Sequence, residues 1–164
     1  MAGPDESRRA AGGLRLTSPA FTHDEILPVR HTADGDDVSP ALEWTGVPDG
    51  TRELVLVCDD PDADEGVFTH WVVYGLPPDA AGVPEALPDE AVIDDPVPLL
   101  QGLNEFDEVG YRGPEPEPDV RHRLFFRLFA LDAELDLRAG ATRPELRRAV
   151  KGHILGTAEL VGLT

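Results

Sequence analysis

The sequence predicts a mainly β domain with one helix late in the chain. Three observations predict it. The apolar runs are short, rich in Val, Leu, Phe and Trp, and punctuated by Gly, Pro and Asp. A single segment carries both start and stop signals for a helix, Thr142-Arg143-Pro144-Glu145 ahead and Gly152 behind. A Pro-rich, acidic stretch, residues 77–118, has few regular runs and reads mostly as loop.

In chain order, Leu14-Arg15-Leu16 with Ala20-Phe21 suggests a first strand, and residues 1–13 read as a loose tail ahead of a single domain over 14–164. Ala41-Leu42-Glu43-Trp44 alternates in period two. Residues 52–57 and 68–76 are the clearest central strands. Residues 123–131 form another, apolar on both faces: Leu124, Phe126, Leu128 and Ala130 share a face with His122, while Phe125, Phe129 and Leu131 share one with Arg123 and Arg127. A strand covered on both sides implies packed layers. In the helix, Pro144 suits the first turn and Leu146, Ala149 and Val150 make the buried stripe. Residues 158–163 suggest a last strand. The long loop 77–118 is expected to carry function or to cover a site.

At 164 residues the chain favours one domain with a sizeable core. Its one cysteine, Cys58, lies in an apolar run; it reads as a small buried hydrophobe and excludes both an intrachain disulfide and a cysteine-built zinc site. The formal net charge is −18, from 32 acids against 14 bases, of which Lys151 is the one lysine. That balance argues against nucleic acid and anionic membrane surfaces as partners. The acids are spread along the chain rather than blocked. This favours a surface suited to high salt, in a halophilic cytoplasm, over a docking patch for a basic partner. Residues 1–19 lack the apolar core of a signal peptide, and no run approaches the length of a membrane span.

The chemistry concentrates in one place. His70 lies inside the run Phe68-Thr69-His70-Trp71-Val72-Val73-Tyr74, and Asp60 and Asp62 leave the end of the preceding strand. His122 opens the strand after the loop Gly113-Pro114-Glu115-Pro116-Glu117-Pro118. Neighbouring antiparallel strands would bring two imidazoles and two carboxylates to one sheet end. Three readings compete. Imidazole and backbone N–H groups could hold an anion or phosphate headgroup, with a carboxylate behind each histidine. Two His and a carboxylate could hold Zn²⁺ or Fe²⁺, although the helical His-x-x-x-His spacing is missing. Each histidine could also be a satisfied core residue. Nucleophilic catalysis is poorly supported: there is no Gly-x-Ser-x-Gly, and Ser7, Ser18 and Ser39 are the only serines. No glycine-rich nucleotide fingerprint or P-loop lysine appears.

At these residues the chain resembles the phosphatidylethanolamine-binding protein family, in its prokaryotic Raf-kinase-inhibitor-like branch, from about residue 21 to the end. The carrying segments occur in order: Val38-Ser39-Pro40-Ala41-Leu42-Glu43-Trp44; Asp60-Pro61-Asp62-Ala63 followed by Phe68-Thr69-His70-Trp71; Gln101-Gly102-Leu103-Asn104-Glu105-Phe106 with Gly110-Tyr111-Arg112-Gly113-Pro114; His122-Arg123; and Gly152-His153-Ile154-Leu155-Gly156. The resemblance implies a large central antiparallel sheet packed on a smaller sheet, with a few short helices at one end. It implies an anion-accepting pocket lined by Asp60, Asp62, Phe68, His70, Pro114, Pro116 and His122. Asp60 and Asp62 would orient the imidazoles or accept a ligand amine. It further implies a binding protein without enzyme activity, metal or cofactor, whose partner is a small anion or phosphate headgroup. A role as an inhibitor of a kinase or protease, docking through acidic loops, is the alternative. Prokaryotic members often pair, which makes a homodimer an option. Two departures stand out. Glu115 and Glu117 occupy loop positions where the family has Cys and Pro, and Leu124 replaces a tyrosine. Added carboxylates should weaken anion binding unless salt screens them.

Overall fold

The computed structural model describes residues 13–164, so the tail expected over residues 1–13 lies, apart from Gly13, outside the described residues. The strands are β1 (Arg15–Thr17), β2 (Glu25–Ile26), β3 (Leu42–Thr45), β4 (Glu53–Asp60), β5 (Phe68–Leu76), β6 (Gly82–Val83), β7 (Val92–Ile93), β8 (Leu99–Gln101), β9 (Arg123–Leu131) and β10 (Ile154–Leu163). One helix, α1 (Arg143–Val150), and a 3-10 turn at Val29–His31 complete the described elements. The large sheet has the order β2-β10-β9-β4-β5-β8-β7 and the small one β1-β3-β6. All pairings are antiparallel except that of β2 with β10. The fold is therefore the mainly β, two-sheet architecture that the sequence predicts.

Alternation along the central strands sorts the core into two layers. Leu54, Leu56 and Cys58 of β4 join Leu124, Phe126, Leu128 and Ala130 of β9 in one cluster, with Leu14, Leu16, Leu42 and Trp44 from the small-sheet side. Val55 and Val57 face the other way, with Leu146 and Val150 of α1 and with Val72 and Tyr74 of β5. The molecule is thus small sheet, large sheet, helix. Phe125 lies half-buried beneath the guanidinium groups of Arg123 and Arg127, 5.3 and 4.6 Å from its ring centre. These cations cover the ring's face while staying hydrated.

Several boundaries differ from the sequence reading. Phe21 lies outside β1 and packs its ring on Phe126, 5.7 Å between centroids. The last strand begins at Ile154, and β4 runs on through Asp59 and Asp60. The stretch 77–118 is mostly loop but contains β6, β7 and β8, strands of two or three residues that extend both sheets. Strands that short carry no readable alternation. Gly82 marks one of them, because a Cβ there would lie 2.4 Å from the Leu42 carbonyl oxygen.

One irregularity positions the site. Cys58 pairs with Trp71 but the next residue, Asp59, pairs with Thr69. His70 is the extra residue of a β-bulge, and a bulge re-aims side chains beside it. Thr69 turns to the helix layer, where its hydroxyl donates to Asp59, itself bonded to Arg143 of α1.

Candidate functional site

The end of β4, the start of β5 and the start of β9 meet at one end of the large sheet, as antiparallel pairing requires. Asp60, 4% exposed, is the centre of this corner. Its Oδ1 accepts the Asp62 backbone N–H at 2.8 Å, which closes the Asp-Pro-Asp turn. Its Oδ2 lies 2.5 Å from His122 Nδ1. A carboxylate there makes Nδ1 the protonated nitrogen. The hydrogen bond to Asp60 is the main cause that raises the His122 pKa, against a smaller opposing effect of burial.

Asp62 does not back an imidazole. It accepts from the Arg123 backbone N–H at 3.0 Å and from the Arg123 guanidinium at 2.8 and 2.9 Å, a bidentate pair. That guanidinium brings its pKa down to about 2. The two acids thus bolt the turn to β9 through adjacent residues, Asp60 to His122 and Asp62 to Arg123.

His70, also 4% exposed, is held differently. Its Nδ1 donates to the Arg112 carbonyl at 2.7 Å, and its own carbonyl accepts the Arg112 N–H at 3.1 Å. The expectation of a carboxylate behind each histidine therefore holds in the structure for His122 alone. A main-chain carbonyl is invisible in a residue pattern. Burial lowers the His70 pKa, while the Arg112 carbonyl and the charges of Asp60, Asp59 and Asp37 oppose that shift. The Phe68 ring lies 5.0 Å from the His70 ring and 5.1 Å from Phe106, a small aromatic wall.

The proline loop reaches the corner through Arg112. Asp37, at positive φ, accepts from Arg112 Nε at 3.0 Å and from the Gly113 N–H at 2.7 Å. Gly113 is obligatory there, since a Cβ would lie 2.3 Å from the His31 carbonyl oxygen. Pro114 is buried and its carbonyl accepts the Ala33 N–H at 2.9 Å; Pro116 is half-buried, and Glu115 and Glu117 are exposed. Phe68 also borders a cleft of about 570 Å³ lined by Asp64, Glu65 and Glu105, an acidic rim. Among the described residues no three His, Cys, Asp or Glu side chains are grouped to hold a metal ion. Nor is any described helix long and apolar enough to cross a membrane.

Residue patterns did not reveal Arg112, Asp37 or the trio of buried Asp59 and Thr69 with half-buried Arg143. Arg143 donates to Asp59 at 3.2 Å and Thr69 donates to the same carboxylate at 2.8 Å. Each of these contacts joins residues at least ten positions apart, beyond the reach of local periodicity.

The fold and site define a two-sheet β domain with two histidines at one sheet end, and comparison with known proteins gives the family. The model of the phosphatidylethanolamine-binding protein family matches residues 17–164, and the chain belongs to that family. A UPF0098 protein of Methanothermobacter thermautotrophicus is 46% identical over 150 residues, covering 92% of this chain and 97% of the relative. One from Pyrococcus abyssi is 42% identical over 147 residues, covering 89% and 82%. The crystal structure of a phosphatidylethanolamine-binding protein homolog from Chlamydia trachomatis superposes with a TM-score of 0.82 at 35% identity, covering 94% of this chain and 98% of the other. That of E. coli YbcL, described as a new member of the mammalian PEBP family, gives 0.84 at 26% identity over 92% and 96%.

Proposed function

We propose that the corner formed by Asp60, His70, His122 and Phe68 binds a small phosphate-bearing ligand, and that the protein acts by binding rather than by catalysis. The observation that carries this reading is the commitment of both Nδ1 atoms, one to Asp60 and one to the Arg112 carbonyl. Each ring keeps only Nε2 for a ligand. His122, its pKa raised, offers an N–H donor; His70, its pKa lowered, offers a lone pair. A monoprotonated phosphate monoester matches both, with P–O⁻ on His122 and P–OH on His70. Family membership supports a ligand-binding role of this kind. The acidic surroundings make salt part of the design: screening by cytoplasmic salt offsets the repulsion from Glu115, Glu117 and Glu105. We therefore read the protein as a halophile's cytoplasmic binding protein.

Calorimetry with phosphorylethanolamine in molar KCl tests this. One site per chain is expected, lost in His70→Ala and in His122→Ala variants whose circular dichroism matches the parent. Unchanged affinity in both would refute the assignment. The exposed acidic loop from Glu115 to Asp119, beside exposed Val120, favours a second reading, docking of a kinase or protease. Recovery of a stoichiometric protein partner with no phosphate ligand would select it. Both edges of the large sheet are two-residue strands. A homodimer would accordingly use a sheet face or loops rather than an edge.

A further inference from the structure

On the helix face, away from the imidazoles, two clefts share two arginines. The larger, about 550 Å³, is polar: Val67 and Thr69 contribute to it from the start of β5, residues 103–105 with Asp107 from the loop after β8, and Thr142, Arg143, Pro144 and Arg147 from the N-terminal part of α1. The smaller, about 200 Å³, is an apolar slot between α1 and the sheet, lined by Val55, Val57, Phe129, Leu146, Val150 and Ile154, with Arg143 and Arg147 at its side. A dry cavity of about 150 Å³ is enough to hold a benzene ring. The slot therefore has room for one apolar side chain.

The charges around the two clefts point to what that side chain would be attached to. Arg30, Arg112, Arg123, Arg127, Arg138 and Arg143 each pair with a carboxylate. The Arg147 side chain, like those of Arg52 and Arg121, has no hydrogen bond or ion pair among the described residues, in a chain of net charge −18. Arg143 spends one nitrogen on Asp59, and its buried Nε has no partner. Two cations with free donor capacity thus stand where the apolar slot opens into the polar cleft. Glu105 and Asp107 lie in the same polar cleft. Glu105 accepts the Thr69 backbone N–H and makes no ion pair among the described residues. A simple anion would meet these acids unfavourably, and a simple cation would meet the arginines. A zwitterion suits both.

We infer that the paired clefts form a second binding site, for a small zwitterion with an apolar side chain, of the size and type of a free apolar α-amino acid. Its side chain occupies the slot beside Leu146 and Val150, its carboxylate meets Arg147 and Arg143, and its amine meets Glu105 and Asp107. The site opens on the helix side of the large sheet and the imidazole corner on the other, although Glu105 also lines the cleft beside Phe68.

Ligand-observed NMR on the whole chain, with L-phenylalanine, 3-phenylpropanoate and 2-phenylethylamine as probes, tests the inference. Phenylalanine is expected to bind more tightly than either analogue, because each analogue lacks one of its charged groups. Arg147→Gln, a change at an exposed side chain, is expected to weaken phenylalanine roughly tenfold, the usual effect of one charge-assisted hydrogen bond. Ile154→Trp, at a half-exposed strand start, is expected to block the slot and abolish binding while circular dichroism stays unchanged. Phosphorylethanolamine is expected not to displace phenylalanine. Absence of phenylalanine binding, equal binding of 3-phenylpropanoate, displacement by phosphorylethanolamine, or indifference to both substitutions would each overturn the proposal.

Discussion

A carbonyl oxygen can only accept, so the His70 Nδ1 that lies 2.7 Å from the Arg112 carbonyl carries a hydrogen, and the neutral ring presents an acceptor at Nε2. His122, beside the Asp60 carboxylate, favours the cation. The two rings should therefore titrate on opposite sides of 6.5, the ordinary value for histidine, His122 above and His70 below. Ring-proton NMR of the free protein checks this, and coincident titrations would contradict it. The stability consequences have opposite signs. The contribution of His122 is full below its unfolded pKa and is lost as pH rises through the raised folded one. That of His70 is full above its unfolded pKa and is lost as pH falls through the lowered folded one. Asp62 makes a separate acid-side contribution: held at about 2 rather than 3.8, it stabilises the fold above pH 3.8 and loses that effect as pH falls toward 2. Because its partner Arg123 is half-exposed, screening leaves about 1 kcal/mol. Asp62→Asn should lower urea stability by that amount at neutral pH and by nothing near pH 2. At this scale the residue types were legible in the sequence, since a histidine in an apolar strand and an Asp-Pro-Asp turn are locally odd. Their partners were not. Asp62 binds Arg123 rather than an imidazole, and His70 rests on a main-chain group.

The helix shows what local signals carry well. The Thr142 hydroxyl accepts the Glu145 N–H at 3.2 Å and Glu145 accepts the Thr142 N–H at 3.1 Å, the capping box that the four-residue pattern predicts. Leu146 and Val150 are buried as the periodicity requires, and Gly152 takes the left-handed conformation just past the C-cap, Lys151. Thr142→Ala should cost about 1 kcal/mol and lower the melting temperature by about 3 °C. Scanning calorimetry at fixed salt measures it, and an unchanged melting curve would show that the cap contributes nothing. β9 was legible for the same reason, its two faces sorting as alternation dictates. The bulge at His70 and the strands β6, β7 and β8 were not. A bulge leaves no residue signature when the strand around it is buried on both faces, so that no alternation shows the break, and a strand of two or three residues is defined by its partner rather than by itself.

For the molecule as a whole, order and layering followed from runs that are apolar on both faces, whereas the placement of the small sheet depended on pairings between β1, β3 and β6 that are distant in sequence. The charge is a whole-molecule property. At −18 the compact state repels itself, and a Debye length that shrinks from about 30 Å at 0.01 M to about 3 Å at 1 M should remove most of that repulsion. Thermal stability should rise as KCl goes from millimolar to molar, and a flat or falling melting temperature would argue against a salt-adapted surface. A last consequence follows from the bulge in β5. Thr69 serves the helix-side cleft and His70 the imidazole corner, and the two are consecutive in the chain. The partition between the two sides of the sheet is there a single peptide unit, about 3.8 Å from one Cα to the next. Neither face can be remodelled alone at this point: a change that tilts the plane at Thr69 necessarily turns the ring on the far side, so substitutions at these two positions should be strongly non-additive.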